Sequence, residues 1–461
     1  MRVGDIQAVL PGRMSMRRSA ELPPGPRMPS FVQATGWALR PLPFMDRCHE
    51  RYGEIFTLRI RRGRPWVFLT NPDHVKQVFT TDAELMRAGA GEANALLEPL
   101  LGPRSVMLLD EPEHLADRKR LLPSFHGSLM QGYGEMMAAV AQREVERWPI
   151  GEPFALWPHM QAISLEVVMR AVFGDIDSDR LQLLRERLVE LTNWVNDQRR
   201  LELLAAVGQR SLTANKGFKR MMAPVEELVL EEVHARRAER NGHSEQNILA
   251  MLEQAYGHDD SRAGRQKLRD ELVTMLSDGP TATSLAWVFE RLLRHPEKLS
   301  RLREEIHAGE REDYLDAVVK ETLRLCPAVP VVMRRLTEPM RLGGYTIPAD
   351  TIVAPCVYLM HRRSDIYPQP RSFQPERFLD SPVNTYTWIP FGGGVRRCVA
   401  ASFAPLEMRR VIETVLNNVE LSAAESRSEG AARSSVSFAP DGGALVIATR
   451  RRPAATARSY A

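Results

Sequence analysis

The chain has 461 residues, of which 44% are hydrophobic and 26% charged, with a net charge of +4. That composition excludes a disordered or fibrous chain and leaves enough apolar material to enclose a cofactor. So small a net charge argues against nucleic acid as a partner. The four cysteines (Cys48, Cys326, Cys356 and Cys398) form no CxxC pair and are too few for a disulfide framework, so a reducing, cytoplasmic setting is expected.

Residues 1–21 carry a short apolar run between charges, without the apolar core and cleavage site of a signal peptide. They read as a disordered lead-in, and Met14 or Met16 is an alternative start. Leu22 to Pro26 reads LPPGP, a stiff extended turn. Ile55 to Ile60 and Pro65 to Leu69 read as an antiparallel hairpin. Pro72 opens a helix at its first position. From about Glu111 the periodicity predicts helices near 128–147, 160–173, 178–205, 215–238, 264–294, 296–307 and 313–325. The apolar stretch 160–173 contains Glu166 and Arg170, so it reads as a core helix and not a membrane span. Short β-rich pieces follow near 331–358, then a helix over 399–418. Residues 422–435 read as a loop. Val436 to Thr449 reads as a last hairpin around the turn Pro440-Asp-Gly-Gly443. The expectation is one mainly α domain with a minor β region over 22–452, followed by a tail at 453–461.

The segment Phe391-Gly-Gly-Gly-Val-Arg-Arg-Cys398 sits just before a predicted helix. Consecutive glycines let the backbone turn sharply and approach a flat ligand closely. Cys398 at a helix N-terminus, with Arg396 nearby, is placed to ionise as a thiolate. A glycine run alone would be an ordinary loop. The order Phe-Gly-x-Gly-x-Arg-x-Cys resembles the haem-binding signature of the cytochrome P450 superfamily, soluble bacterial type. The resemblance implies a single-domain triangular helical prism enclosing haem b. It makes Cys398 the iron ligand and places Phe391, Gly392, Gly394, Arg396 and Ala400 in the haem-binding loop. Ala400 is a departure, because the family usually has glycine there.

Further motifs extend the resemblance from about Leu22 to Arg451. Glu321 and Arg324 are three apart on a predicted helix and can pair. They resemble the family's ExxR helix, whose third member maps to Arg377 in Phe373-Gln-Pro-Glu-Arg-Phe378. The implied role is a buried structural network. His114-Leu-Ala-Asp-Arg118 resembles the haem-propionate helix. His114, Arg118, Arg334 and Arg396 would then supply cationic donors to two propionates.

The oxygen site departs from the family. Its usual pattern is Ala/Gly-Gly-x-Asp/Glu-Thr-Thr, in which the acid and the alcohol relay protons. This chain reads Leu276-Ser-Asp-Gly-Pro-Thr-Ala-Thr-Ser284, and Pro280 should kink the helix. Three readings stay open. Asp278, Gly279, Thr281 and Thr283 form a substitute relay, with Asp278 and Thr281 on one helical face. Alternatively, water or a substrate hydroxyl serves. In the third, oxygen activation is impaired.

The expected activity is insertion of one oxygen atom into an apolar small molecule, such as a fatty acyl chain, terpenoid, steroid or polyketide. The pocket would be lined by Met86 to Leu97, Leu276 to Thr283 and Ala328 to Met333, with a mobile loop at Ala88 to Gly91. The chain has no GxGxxG fingerprint, so electrons are expected from a separate protein, and the resemblance to soluble members implies a ferredoxin and its NAD(P)H-dependent ferredoxin reductase. Lys119, Arg120, Arg397, Arg409 and Arg410 would form the docking face. The competing class is a haem-binding protein with impaired O2 activation, either peroxide-dependent or acting only by binding and sensing.

Overall fold

The computed structural model describes residues 22–61, 64–89, 97–127, 129–174, 178–196, 216–239, 247–257, 259–277, 279–309, 311–379, 383–434 and 437–451. The expected lead-in 1–21, the tail 453–461 and Asp278 lie outside them.

The chain begins with helices α1 (Ser30–Leu39) and α2 (Pro41–Tyr52). The sequence reading did not anticipate them, because a proline-rich approach and a glycine at Gly36 mask their periodicity. Strands β1 (Ile55–Arg61) and β2 (Arg64–Leu69) pair antiparallel, with Ile55 opposite Leu69, as the expected hairpin requires. Helix α3 (Pro72–Thr80) starts with proline at N1, and the side chain of Asn71 accepts from the amides of Asp73 and His74. Strand β3 (Met86–Arg87) and the one-turn α4 (Glu98–Leu101) follow.

The helical body runs through α5 (Glu113–Leu121), α6 (Leu129–Val145), β4 (Pro153–Ala155), α7 (Leu156–Phe173), α8 (Asp179–Asn196), α9 (Lys216–Glu239) and α10 (Ile248–Tyr256). In α7, Met160, Ile163, Val167 and Ala171 repeat at three-and-four spacing, and Val168, Met169, Val172 and Phe173 are buried as well. A helix apolar nearly all round belongs in the core, and α7 packs there against α6.

The stretch expected as one helix over 264–294 is two: α11 (Arg262–Leu276) and α12 (Pro280–Leu293). Pro280 does not kink a continuous helix; it starts the second one. It has no N–H to give to the carbonyl of Leu276, and at N1 that loss costs nothing. Then come α13 (Pro296–Ala308) and α14 (Asp313–Leu325). The β-rich region holds β5 (Arg334–Leu336), β6 (Met340–Leu342), β7 (Tyr345–Ile347) and β8 (Ile352–Pro355), with the short α15 (Val357–Met360) after it. The largest sheet has the order β1-β2-β8-β5-β3.

The C-terminal part contains α16 (Phe403–Asn418), β9 (Val419–Ala423), β10 (Ala431–Ser434), β11 (Ser437–Pro440) and β12 (Leu445–Arg451). Two expectations fail here. The segment 422–435 is not all loop, since strands occupy both ends. The last two strands do not form a hairpin with each other: β11 pairs with β10, whereas β12 pairs with β9 and β4. The Glu429 carboxylate explains the switch. It accepts from the amides of Gly442, Ala444 and Leu445, at 2.8, 3.0 and 2.7 Å, and holds the turn between the two sheets. No local pattern announces a cap thirteen residues away.

Among the described residues, no helix is long and apolar enough to cross a membrane.

Candidate functional site

Cys398 lies between a 3-10 turn at Gly394–Arg396 and helix α16. It is not at the helix N-terminus: α16 begins at Phe403. Pro405 is the third residue of that helix, so it cannot donate to the carbonyl of Ala401, and its place in the first turn makes this loss cheap. Instead the Cys398 amide donates to the carbonyl of Phe391 at 2.9 Å, closing the loop on itself. Cys398 is open to its surroundings, unlike Cys48 and Cys356, which are buried. Burial pushes the thiols of Cys48 and Cys326 up to about 11 and that of Cys356 to about 12. Those three are poor nucleophiles and poor ligands.

The glycines serve a purpose the sequence did not disclose. Gly392 and Gly394 have φ of 67° and 66°, which favours glycine. A Cβ on Gly393 would lie 2.2 Å from the Phe79 ring, and one on Gly394 would lie 2.3 Å from the Phe79 carbonyl oxygen. The loop is therefore seated on the end of α3. Ala400 is half-buried against the main core, and its carbonyl accepts from the Ala404 amide at 3.0 Å.

Three arginines gather beside this loop. Arg118, on α5, is within charge–charge range of Cys398, Arg396 and Arg397. Arg334 begins β5, and one of its nitrogens donates to the carbonyl of Met333 at 2.8 Å. Burial, followed by repulsion from Arg396, pulls the Arg334 guanidinium down to about 10. Arg396 donates to the Leu109 carbonyl at 2.6 Å and pairs with Glu111 at 3.0 Å and Asp110 at 3.4 Å. Its Nε is buried without a partner. Among the described residues, no carboxylate lies within ion-pairing distance of Arg118 or Arg334. Like charges crowded in this way are costly unless an anion joins them.

His114 is not one of the cations. Burial, then the Arg396 charge, pushes its imidazole down to about 4, so it is neutral at pH 7. Its Nδ1 is 2.7 Å from Glu111, which thus bridges His114 and Arg396. The sequence reading gave Glu111 no role beyond marking where the helical periodicity begins. A pH dependence follows. Below the ordinary imidazole value of 6.5, the unfolded chain takes up a proton that folded His114 refuses down to about 4. His114 therefore costs stability as pH falls through that window. Denaturation midpoints of the wild type should drop between those limits, and His114→Gln should flatten the drop.

Asp110 has a second task. Its Oδ1 accepts from the amides of Ala88 and Gly89 at 2.9 and 2.7 Å. The stretch expected to be a mobile loop is thus pinned at its first two residues, while Ala90 and Gly91 lie outside the described residues.

The structure brings Glu321, Arg324 and Arg377 together. Glu321 and Arg324 are wholly buried on α14, joined by two hydrogen bonds of 2.7 and 2.8 Å, and Arg377 Nε reaches the same carboxylate at 3.2 Å. Arg324 also donates to the carbonyls of His361 and Pro370. Every strong group in this network has a partner.

At the helix break, Thr281 and Thr283 are buried at the start of α12. Asp278 lies outside the described residues. Its expected helical face with Thr281 presumed a continuous helix, whereas α12 begins only at Pro280. Gly279 caps that helix, and its carbonyl accepts from the Thr283 amide at 3.3 Å. Ser284, not singled out from sequence, donates to the Pro280 carbonyl at 3.0 Å.

The expected basic docking face is partly neutralised. Arg120 pairs with Asp117, Arg409 with Asp316, and Arg410 with Glu312 and Glu413. Lys119 and Arg397 remain exposed. Acidic residues on α5 (Asp117), at and in α14 (Glu312, Asp316) and on α16 (Glu413) cancelled a charge pattern that looked basic from its arginines alone.

The family model described as Cytochrome P450 matches residues 22–443. The chain belongs to the cytochrome P450 family. It is 37% identical over 463 residues to cytochrome P450 135B1 of Mycobacterium tuberculosis, covering 97% of this chain and 96% of that protein. Cytochrome P450 135A1 of the same organism is 32% identical over 417 residues, covering 89% and 91%. Among solved structures, a retinoic acid-bound cyanobacterial CYP120A1 superposes with a TM-score of 0.78 at 21% identity, over 93% of this chain and 99% of that one. A cytochrome P450DA heme domain also gives 0.78 at 21%, over 94% and 98%. The mainly helical P450 prism is thus the fold of this chain, and the family implies haem b. The residues present fit that group. A doubly anionic porphyrin edge would answer Arg118, Arg334 and the orphaned Nε of Arg396, next to an open cysteine.

Proposed function

We propose that the protein is a haem-thiolate monooxygenase that inserts one oxygen atom from O2 into an apolar small molecule. The observation that carries this reading is an open cysteine beside three clustered arginines, two of them without a carboxylate partner among the described residues. Haem, when bound, supplies the oxygen chemistry, and an anionic sulfur ligand favours it. Cys398 is assigned as the iron ligand. Arg118, Arg334 and Arg396 hold the propionates, while His114, kept neutral, orients Glu111 against Arg396. Phe391, Gly392, Gly394 and Ala400 shape the loop. Glu321, Arg324 and Arg377 brace α14 behind it. The apolar run from Ala328 to Met333 leads directly into Arg334 and supports an apolar substrate, since Val331 is buried and Val332 abuts Gly392.

The Arg334 assignment has a direct consequence. Arg334→Leu removes a charge-assisted contact to the haem edge, so haem should transfer to an apoprotein acceptor roughly tenfold faster. Transfer followed in the Soret region measures this, and an unchanged rate removes Arg334 from the clamp.

Turnover with NADH, a surrogate ferredoxin and its reductase tests the function. Electrons are expected from such a separate partner, which Lys119 and Arg397 are free to meet. An oxygenated product from an apolar substrate library is the expected outcome. The second reading, a haem protein with impaired O2 activation, is favoured by the start of a new helix at Pro280. It predicts NADH consumption recovered as hydrogen peroxide, with no product. If Thr281 takes part in proton delivery, Thr281→Ala should shift the balance from product to peroxide by about tenfold.

A further inference from the structure

His361 lies just after α15, far in sequence from both the thiolate loop and the Glu321–Arg324 pair. It is wholly buried. Its Nε2 is 2.9 Å from the backbone nitrogen of Ile389, and its Nδ1 is 3.1 Å from the carbonyl oxygen of Arg324. An amide N–H can only donate, so Nε2 must accept and carry no proton. The single proton of the neutral ring is then on Nδ1, donated to Arg324. Burial, then the charge of Arg324, holds the imidazole well below its ordinary value, which keeps the ring neutral.

The two ends of this bridge matter. Arg324 belongs to the buried network of α14, and its guanidinium donates back to the His361 carbonyl at 2.6 Å, so the two residues clasp each other. Ile389 stands two residues before Phe391. Its carbonyl accepts from the Gly392 amide at 3.0 Å, and the Phe391 carbonyl accepts from the Cys398 amide at 2.9 Å. The next residue back is also tied to α14, since Trp388 Nε1 donates to the carbonyl of Lys320 at 3.2 Å. The entry to the cysteine loop is thus suspended from the ExxR helix at two successive residues.

We propose that His361 is a positioning residue that sets the register of the thiolate loop, by accepting the Ile389 N–H while anchored on Arg324. This rests on the assignment of Cys398 as the iron ligand. Without His361, the Ile389 N–H would be buried and unpaired, a cost the loop relieves by shifting. Phe391 and Cys398 would move with it.

The test exploits the shape of the imidazole. An asparagine amide reaches the place of Nδ1, and a glutamine amide reaches the place of Nε2. His361→Gln keeps an acceptor for Ile389, His361→Asn does not, and His361→Leu removes both contacts. The readout is the reduced, carbon-monoxide-bound spectrum of the purified holoproteins, as the ratio of the red-shifted thiolate band to the thiol-ligated band. The ratio should fall about fivefold or more in the Leu and Asn variants and recover towards wild type in the Gln variant. Equal ratios in the Asn and Gln variants, a wild-type ratio in the Leu variant, or failure of all three to fold overturns the proposal, because His361 would then support the core as a whole or nothing in the loop. Cys398→Ser, run alongside, separates the two claims: a red-shifted band surviving there defeats the assignment of Cys398 itself.

Discussion

Replacing Cys398 by serine removes the red-shifted Soret band of the reduced, carbon-monoxide-bound protein and abolishes monooxygenase turnover. A serine hydroxyl keeps the size of the side chain but does not ionise near neutral pH, so it cannot supply the anionic, polarisable ligand that the sulfur provides. The loop itself should survive. Its closure is the Cys398 amide on the Phe391 carbonyl, and its seating is Gly393 and Gly394 on Phe79, neither of which uses the sulfur. The variant should therefore still fold and still take up haem through Arg118, Arg334 and Arg396. Absorption spectra of the reduced, ligand-bound form check the first statement, and haem content per chain checks the second. A thiolate-type band in the serine variant would defeat the assignment, because the other three cysteines carry thiols that burial holds protonated.

The second large effect falls on the buried network. Glu321→Ala strands Arg324 at zero exposure, with Arg377 losing the same carboxylate. Removing one partner of such a pair costs about 3–5 kcal/mol, a large fraction of the stability of any single domain. The expected result is little folded protein at 37 °C and a sharply lowered denaturation midpoint. The double variant Glu321→Leu with Arg324→Leu should lose less than the sum of Glu321→Leu and Arg324→Leu made singly, because no charge is left unpaired. Denaturant midpoints of the three variants measure this. Strict additivity would mean that the pair is not coupled. Arg324 also holds the carbonyls of His361 and Pro370, so its own loss should exceed that of Glu321.

The amino-acid sequence by itself carried the family, the mainly helical fold and the short-range chemistry. Spacing within one element is a local property. Glu321 and Arg324 meet because they are three apart on a helix, and Pro72 starts α3 because its ring suits that position. The order Phe-Gly-x-Gly-x-Arg-x-Cys marked the cysteine among four. Tertiary structure decided everything that depends on a partner from a distant segment. It made His114 neutral through burial and Arg396, turned Asp110 and Glu111 into holders of other residues, and gave Gly393 and Gly394 their need in Phe79. It divided the long helix at Pro280, whose effect a periodicity cannot distinguish from a kink. It sent β11 and β12 into different sheets through Glu429, and placed His361 between Arg324 and Ile389. The physical reason is common to these cases. Side-chain propensity and helical spacing act over a few residues, whereas desolvation, charge pairing and close packing depend on which surfaces the whole chain brings into contact.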